Sequence, residues 1–202
     1  MFMGSPRHIN IEDCALLIVN MQNDFLDKIT SFECPRCREI VPNLQKFKHD
    51  MKFFRVPVIY TKELHRPGMV DYGKELSKEG EEHCIEGTKG AEIVSELTPD
   101  EDDHVILKRR HSGFYATDLE ILLRGLKKNT IILAGVPTNI CYYATALDAH
   151  QLNFNIIAVP DCTAPSKGVD KEPFLRSIEK VVGEVMSSQE IKERFHMMVE
   201  EP

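Results

Sequence analysis

Short apolar runs that alternate with segments of helical periodicity are the feature of this sequence that most constrains its fold. Such continuously apolar runs predict strands that are buried on both faces of a sheet. Six of them occur, at residues 15–21, 58–61, 105–108, 130–135, 155–159 and 181–186, and the last has the weakest pattern.

Helical periodicity fills several of the intervals between these runs. Apolar residues recur at spacings of three and four over 39–52, 118–127 and 140–152. Thr117 and Glu120 have the capping-box spacing that favours a helix start. Strands that alternate with helices predict an α/β fold, here one doubly wound three-layer α/β/α domain over residues 1–202 with a six-stranded, mostly parallel, Rossmann-like sheet.

The segment 65–99 does not fit this alternation. It carries five glycines among many charged residues, and it is too long for a minimal connection between two elements. We therefore predict that it covers the substrate.

Composition narrows the classes of partner. The 202-residue chain has a formal net charge of −7, which disfavours nucleic acid because nucleic-acid affinity depends on neutralising phosphates. Its apolar stretches are too short to cross a bilayer, and its N-terminus lacks the order of a signal peptide. We expect a cytoplasmic protein that acts on a small molecule, with no nucleic-acid or membrane partner.

Three reactive residues map to the carboxyl edge of the predicted sheet, where open α/β sheets form their sites. Asp24 follows the first strand, Lys108 ends the third, and Cys141 opens the helix after the fourth. A helix N-terminus favours a thiolate, a carboxylate can exchange the thiol proton, and an ammonium supports both anions. Taken singly, each also has an ordinary reading as a buried thiol, a turn former or a solvated lysine.

The motifs around these residues resemble those of the isochorismatase-like cysteine hydrolases. The matching segments, in the family's order, are ALLIVNMQNDF at 15–25, HCIEGTKGAE at 83–92, KRRHSGFYATDLE at 108–120, GVPTNIC at 135–141 and TALDA at 145–149. Five motifs in register over nearly the whole chain carry this resemblance.

The resemblance implies that Asp24, Lys108 and Cys141 form a catalytic triad that attacks a carbonyl through a thioester. It implies hydrolysis of a small amide, with nicotinamide as the preferred substrate and conversion to nicotinate and ammonia. The alternatives are a metal-free hydrolase of N-carbamoyl or other small amides, and a catalytically weak, ligand-binding member of the family.

The nucleophile loop departs from the family pattern at Pro137. The family has a cis peptide before the loop threonine, which corresponds here to the bond between Val136 and Pro137. In relatives an N–H at this position helps to form the oxyanion hole, and a proline has none. The sequence therefore predicts an altered oxyanion hole, with the backbone or hydroxyl of Thr138 as a possible substitute donor.

The resemblance also implies a site for one divalent ion, zinc or iron, at Glu63, His65 and His83. Two histidines and one carboxylate are a credible ligand set with open positions. In the alternative interpretation the histidines line the pocket and Glu63 is solvated or salt-bridged. No organic cofactor is expected.

Other residues are assigned by position. Phe25, Phe114 and Tyr142 are candidates to contact an aromatic substrate, with a core role as the alternative. Cys34 and Cys37 are interpreted as two incidental thiols, with a disulfide or an interchain metal site as alternatives. His111 is assigned to the surface.

The resemblance and the apolar face of the predicted helix 140–152 indicate a homodimer or a homotetramer.

Overall fold

A computed structural model describes residues 9–27, 34, 36–74 and 82–200 of the chain. Its centre is a six-stranded sheet in the order β3-β2-β1-β4-β5-β6, and every pairing is parallel. The strands are β1 (Cys14–Val19), β2 (Val58–Glu63), β3 (His104–Lys108), β4 (Thr130–Gly135), β5 (Asn155–Thr163) and β6 (Glu184–Val185).

Within the described residues, six α-helices surround the sheet: α1 (Asn23–Leu26), α2 (Cys37–Phe53), α3 (Leu119–Gly125), α4 (Tyr143–Gln151), α5 (Glu172–Ser177) and α6 (Ser188–Glu200). Two π-helical turns, Thr138–Tyr142 and Ile178–Val182, precede α4 and follow α5. Short 3-10 turns occupy Ile11–Asp13 and Ser95–Leu97. None of the described helices is long and apolar enough to cross a membrane.

Alternate residues of the buried strands supply two separate cores. In β1, Leu16 and Ile18 belong to the core that includes Leu44 of α2 and Phe195 of α6. Their neighbours Ala15, Leu17 and Val19 belong to the core on the opposite face, with residues of α3, α4 and α5. The predicted three-layer α/β fold with a parallel six-stranded sheet is therefore confirmed.

Element boundaries differ from the predictions at the end of the sheet. The predicted last strand, 181–186, shrinks to β6 because its first residues continue a helical turn in which Ile178 and Val182 are buried. In the other direction, β5 runs four residues beyond its predicted end to Thr163.

The sheet has its topological switch point between β1 and β4, where neighbouring strands lead to opposite faces. Here Gly135 has φ +102°, and a Cβ on it would lie 2.2 Å from the carbonyl oxygen of Val19. Only glycine permits this approach. The chain leaves β4 at this point and enters the loop that carries the cysteine nucleophile candidate.

The fold bears on two further sequence predictions. Cys34 and Cys37 form a disulfide at the start of α2, so the prediction of two incidental thiols is wrong and the disulfide alternative is correct. The segment predicted to cover the substrate is irregular where described, and its residues 75–81 lie outside the described residues.

Candidate active site

The register of β2 and β3 places Glu63 beside Lys108 at the carboxyl edge of the sheet. Lys108 Nζ donates a hydrogen bond to Glu63 Oε2, and both side chains are withdrawn from solvent. Each of two opposite charges that are buried together is stabilised by the other, because water does not solvate either one. The pair thus forms the ionic centre of the site.

The charged states of this pair support each other. Burial by itself raises the pKa of Glu63, but the Lys108 charge and the hydrogen bonds from His65 and His83 outweigh burial and hold that pKa well below its ordinary value. Burial lowers the pKa of Lys108, and the negative charges of Cys141 and Glu63 reverse this and raise it. Glu63 is therefore a carboxylate and Lys108 an ammonium.

Cys141 lies in the π-helical turn that leads into α4 and is almost fully buried. Its sulfur lies 3.8 Å from Lys108 Nζ, 3.8 Å from Glu63 Oε2 and 3.8 Å from His111 Nδ1. An ammonium at this distance stabilises a thiolate more than a thiol. The structure thus brings two of the three predicted triad residues, Lys108 and Cys141, into contact.

Asp24 lies in the first turn of α1 and is buried. Its Oδ2 accepts the backbone N–H of Cys84 at 2.7 Å, and its own N–H donates to the carbonyl of Gly90 at 2.9 Å. A Cβ on Gly90 would lie 2.1 Å from Asp24 Oδ1, so the carboxylate packs directly against the glycine backbone. The segment 82–90 therefore fixes the position of Asp24.

Cys84 shows that these groups surround one region. Burial is the main reason why its pKa lies far above the ordinary value, and the charges of Glu63 and Asp24 raise it further. The charge of Lys108 lowers the pKa of the same thiol, and that of Cys141 raises it. Cys84 is thus a protonated thiol in the midst of the predicted triad.

The nucleophile loop is tied to β5. The peptide between Val136 and Pro137 is cis, as the sequence predicts. Thr138 N–H donates to the carbonyl of Ala164 at 2.9 Å, and its hydroxyl lies 2.7 Å from that of Thr163. Thr138 was predicted as a substitute oxyanion donor. That role stays a prediction; the N–H of Thr138 is already engaged with the residue that follows β5.

Glu63, His65 and His83 form a compact group whose candidate ligand atoms all lie within 4.8 Å of one another. Both histidines point Nε2 at Glu63 Oε1, at 3.4 Å and 3.0 Å. Asp71 Oδ1 lies 3.3 Å from His65 Nδ1 on the other side of the ring, as a carboxylate commonly does behind a ligating histidine. The donor set fits a divalent ion, although Glu63 Oε2 is already occupied by Lys108.

The three candidate substrate aromatics occupy different environments. Phe25 packs on the His83 ring with centroids 5.7 Å apart, next to the site. Phe114 packs against Phe154 in the second core. Tyr142 is fully buried, and its hydroxyl joins Leu133 O to Val159 N between β4 and β5. Phe114, partly buried, and Tyr142, fully buried, thus both make core contacts, and their contact with a substrate stays a prediction.

Two contacts of the nucleophile were not predicted from the sequence. His111 was assigned to the surface, which is wrong because it is half-buried and contacts Cys141 Sγ. For Glu63 the alternative of a salt-bridged side chain is confirmed by its pairing with Lys108, but its contact with Cys141 was not foreseen. Glu63 ends β2 and His111 follows the end of β3, so both lie at the carboxyl edge of the sheet, as Lys108 does. That position could have marked them as site residues.

The parallel sheet, the buried lysine and carboxylate, and the cysteine at the switch point together define a cysteine hydrolase of the α/β class. Residues 14–190 match the isochorismatase domain family, and the chain belongs to it.

Individual relatives agree with this membership. The uncharacterized isochorismatase family protein YaaI of Bacillus subtilis is 30% identical over 183 residues, covering 90% of this chain and 98% of the relative. A cysteine hydrolase from Pseudomonas syringae pv. phaseolicola has a TM-score of 0.84 at 26% identity, covering 94% and 95% of the two chains. A pyrazinamidase of Pyrococcus horikoshii in complex with zinc has a TM-score of 0.78 at 28% identity, covering 87% and 99%.

Proposed function

We propose that this protein is a cysteine-dependent amidohydrolase that acts on a small carboxamide, with nicotinamide as the preferred substrate. The observation that carries the proposal is the position of Cys141 Sγ, 3.8 Å from the buried ammonium of Lys108. A buried cation beside a thiol at the start of a helix is the arrangement that activates cysteine nucleophiles.

The residues divide the chemistry among them. Asp24 takes the Cys141 proton, and the thiolate attacks the carboxamide carbon. Asp24 then delivers this proton to the leaving nitrogen, the carbon–nitrogen bond breaks, and ammonia leaves the thioester behind. The Lys108 ammonium stabilises the Cys141 thiolate and keeps the Glu63 carboxyl group ionised. Water then hydrolyses the thioester and releases the acid.

Nicotinamide is favoured over other amides by the group of Glu63, His65 and His83. We propose that these three residues hold a divalent ion, zinc or iron. When bound, the ion supplies a Lewis-acid contact for a ring nitrogen and so orients the aromatic amide. The solved pyrazinamidase with zinc supports this choice of metal and substrate class.

Ammonia release from a panel of small amides tests the proposed activity. The panel includes nicotinamide and N-carbamoyl compounds, and the wild type is compared with Cys141→Ala. We expect ammonia from nicotinamide with the wild type and none above background with the variant. Turnover of N-carbamoyl compounds alone would replace nicotinamide with the metal-free alternative, and release from no amide would refute the proposal.

Metal content, measured by mass spectrometry of the purified protein, tests the ion separately from activity. We expect close to one equivalent of zinc or iron in the wild type and a large loss in His83→Ala. The matched control is His150→Ala, since His150 is exposed at the end of α4. Equal metal in both variants would show that the ion does not bind at this group.

A further inference from the structure

His111 is a half-buried neighbour of the nucleophile. Its Nδ1 lies 3.8 Å from Cys141 Sγ, and it belongs to the loop that follows β3. Lys108 and Glu63 lie at the same distance from the sulfur but are fully withdrawn from solvent. Of these three neighbours, the imidazole is therefore the one that also has access to water.

The loop that carries His111 is held on both sides of this residue. Lys108 Nζ donates to the carbonyl of Arg110 at 2.9 Å. On the other side, Gly113 N–H donates to the Thr145 hydroxyl at 2.9 Å, and that hydroxyl donates to the carbonyl of Cys141 at 2.6 Å. The loop that carries His111 and the turn that carries Cys141 are thus linked through the Thr145 side chain, which favours the preorganisation that proton transfer needs.

The other ionisable groups near the sulfur are less suited to accept a proton from water. Lys108 Nζ donates to Glu63 Oε2 and to the carbonyl of Arg110, so it serves as a donor at this site. The Glu63 carboxylate bonds to Lys108 and both histidines. Asp24 Oδ2 holds the N–H of Cys84 beneath the surface. A neutral imidazole, in contrast, carries a lone pair on one ring nitrogen, and His111 Nδ1 lies 3.8 Å from the sulfur.

We propose that His111 is a further catalytic residue, the base that activates water for hydrolysis of the Cys141 thioester. The inference rests on the proposed function in one respect, since the thioester is an intermediate of that reaction. It assigns the second half-reaction to a residue different from Asp24, which serves the first.

The step balances within the site. A proton of water passes to the imidazole while the water oxygen forms a bond to the thioester carbonyl carbon. The carbon–sulfur bond then breaks, and its electron pair stays on Cys141 Sγ. The imidazolium returns its proton to that sulfur across the 3.8 Å contact, which leaves free thiol and carboxylic acid.

The lifetime of an acyl group on Cys141 tests this role without any amide substrate. p-Nitrophenyl acetate serves as the acylating probe, the release of p-nitrophenol reports acylation, and intact-protein mass reports deacylation. The proteins are the wild type, His111→Ala, His111→Gln and the control His150→Ala, and Cys141→Ala identifies the acylated residue.

We expect both His111 variants to acylate at close to the wild-type rate and to lose the acyl group about 100-fold more slowly, the usual loss for a missing general base. Added imidazole should restore deacylation in His111→Ala by entering the space that the side chain leaves. His150→Ala should behave as the wild type.

Deacylation at the wild-type rate in both His111 variants would overturn the inference. An equal fall of acylation and deacylation would also overturn it, because that pattern indicates a misplaced nucleophile. If amides release no ammonia while the acyl group persists in the His111 variants, the proposed substrate class fails and the role of His111 stands. Failure of the wild type to acylate at Cys141 would refute both.

Discussion

At the scale of single residues, the site depends on close packing as much as on charge. Gly90 shows this, because its backbone lies where any side chain would meet Asp24. Thr145 shows it at Cys141, because its hydroxyl joins the loop that carries His111 to the turn that carries the nucleophile. The catalytic groups are therefore positioned by residues that carry no charge.

Replacing Gly90 by alanine should displace the Asp24 carboxylate. The added Cβ would lie 2.1 Å from Oδ1 and 2.3 Å from Oδ2, and one of the two groups must move. A displacement of about 1 Å lowers rates by roughly 100-fold, so we expect kcat/KM for ammonia release to fall by about that factor. Gly125→Ala is the control, since a Cβ there meets nothing within 4 Å. Wild-type activity in Gly90→Ala would show that Asp24 is not required at its present position.

The placement of Cys141 and Lys108 at one edge of the sheet and the cis peptide could be inferred from sequence because these residues occur in contiguous motifs at strand ends. The contacts of Glu63 and His111 could not, since they depend on the one-residue register of β2 against β3 and on how the loop after Lys108 turns back toward α4. The core contacts of Phe114 and Tyr142 could not be inferred either, because packing decides the direction of a ring.

At the scale of secondary-structure elements, β2 and β3 are joined by the buried pair of Glu63 and Lys108. Replacing Lys108 by methionine leaves a buried carboxylate without its cation, which costs about 3–5 kcal/mol of unfolding free energy. We expect chemical denaturation to show this loss. The double variant with Glu63→Gln should recover much of the stability and none of the activity. A single Lys108→Met variant as stable as the wild type would contradict the importance of the pair.

Asp161 joins three elements, since it accepts hydrogen bonds from Asn43 of α2 at 2.8 Å and from the Ser188 N–H of α6 at 2.9 Å and itself lies in β5. Burial raises its pKa, but the bonds from Ser188 and Asn43 outweigh burial and leave that pKa below its ordinary value. Its contribution is complete above the pKa of the unfolded chain and is lost as pH falls through the folded pKa.

Asp161→Asn should therefore unfold with about 1–2 kcal/mol less free energy than the wild type at neutral pH. The gap between the two should close as pH falls below about 4, the ordinary pKa of aspartate, because the wild type loses the same interaction there. Urea titrations at several pH values measure this. Asp118→Asn is the control, since Asp118 is exposed and makes no capping bond. A gap that is constant with pH would refute the assignment.

At the scale of the whole molecule, the parallel topology places the candidate catalytic groups at the carboxyl ends of β1, β2, β3 and β4, along one edge of the sheet. This could be predicted from the alternation of strands and helices alone. The disulfide between Cys34 and Cys37 could not, because one pair of cysteines at this spacing is compatible with several states.

Association with other copies of the chain stays a prediction. The apolar face of the helix 140–152 does not support it, since Ala146 and Ala149 are buried in the core of a single chain. The resemblance alone now favours a dimer or tetramer. Light scattering should give a mass two or four times 23.1 kDa, and a mass of one chain would contradict the prediction.

Iodoacetamide alkylation at neutral pH, followed by peptide mass spectrometry, tests most directly that the site activates Cys141. The chain supplies its own controls, because burial raises the pKa of Cys14 to about 12 and raises those of Cys84 and Cys162 further. We expect rapid modification of Cys141 and none of these three, and a much slower reaction in Lys108→Met. Modification of Cys141 no faster than of the other thiols would contradict the assignment of a cysteine nucleophile.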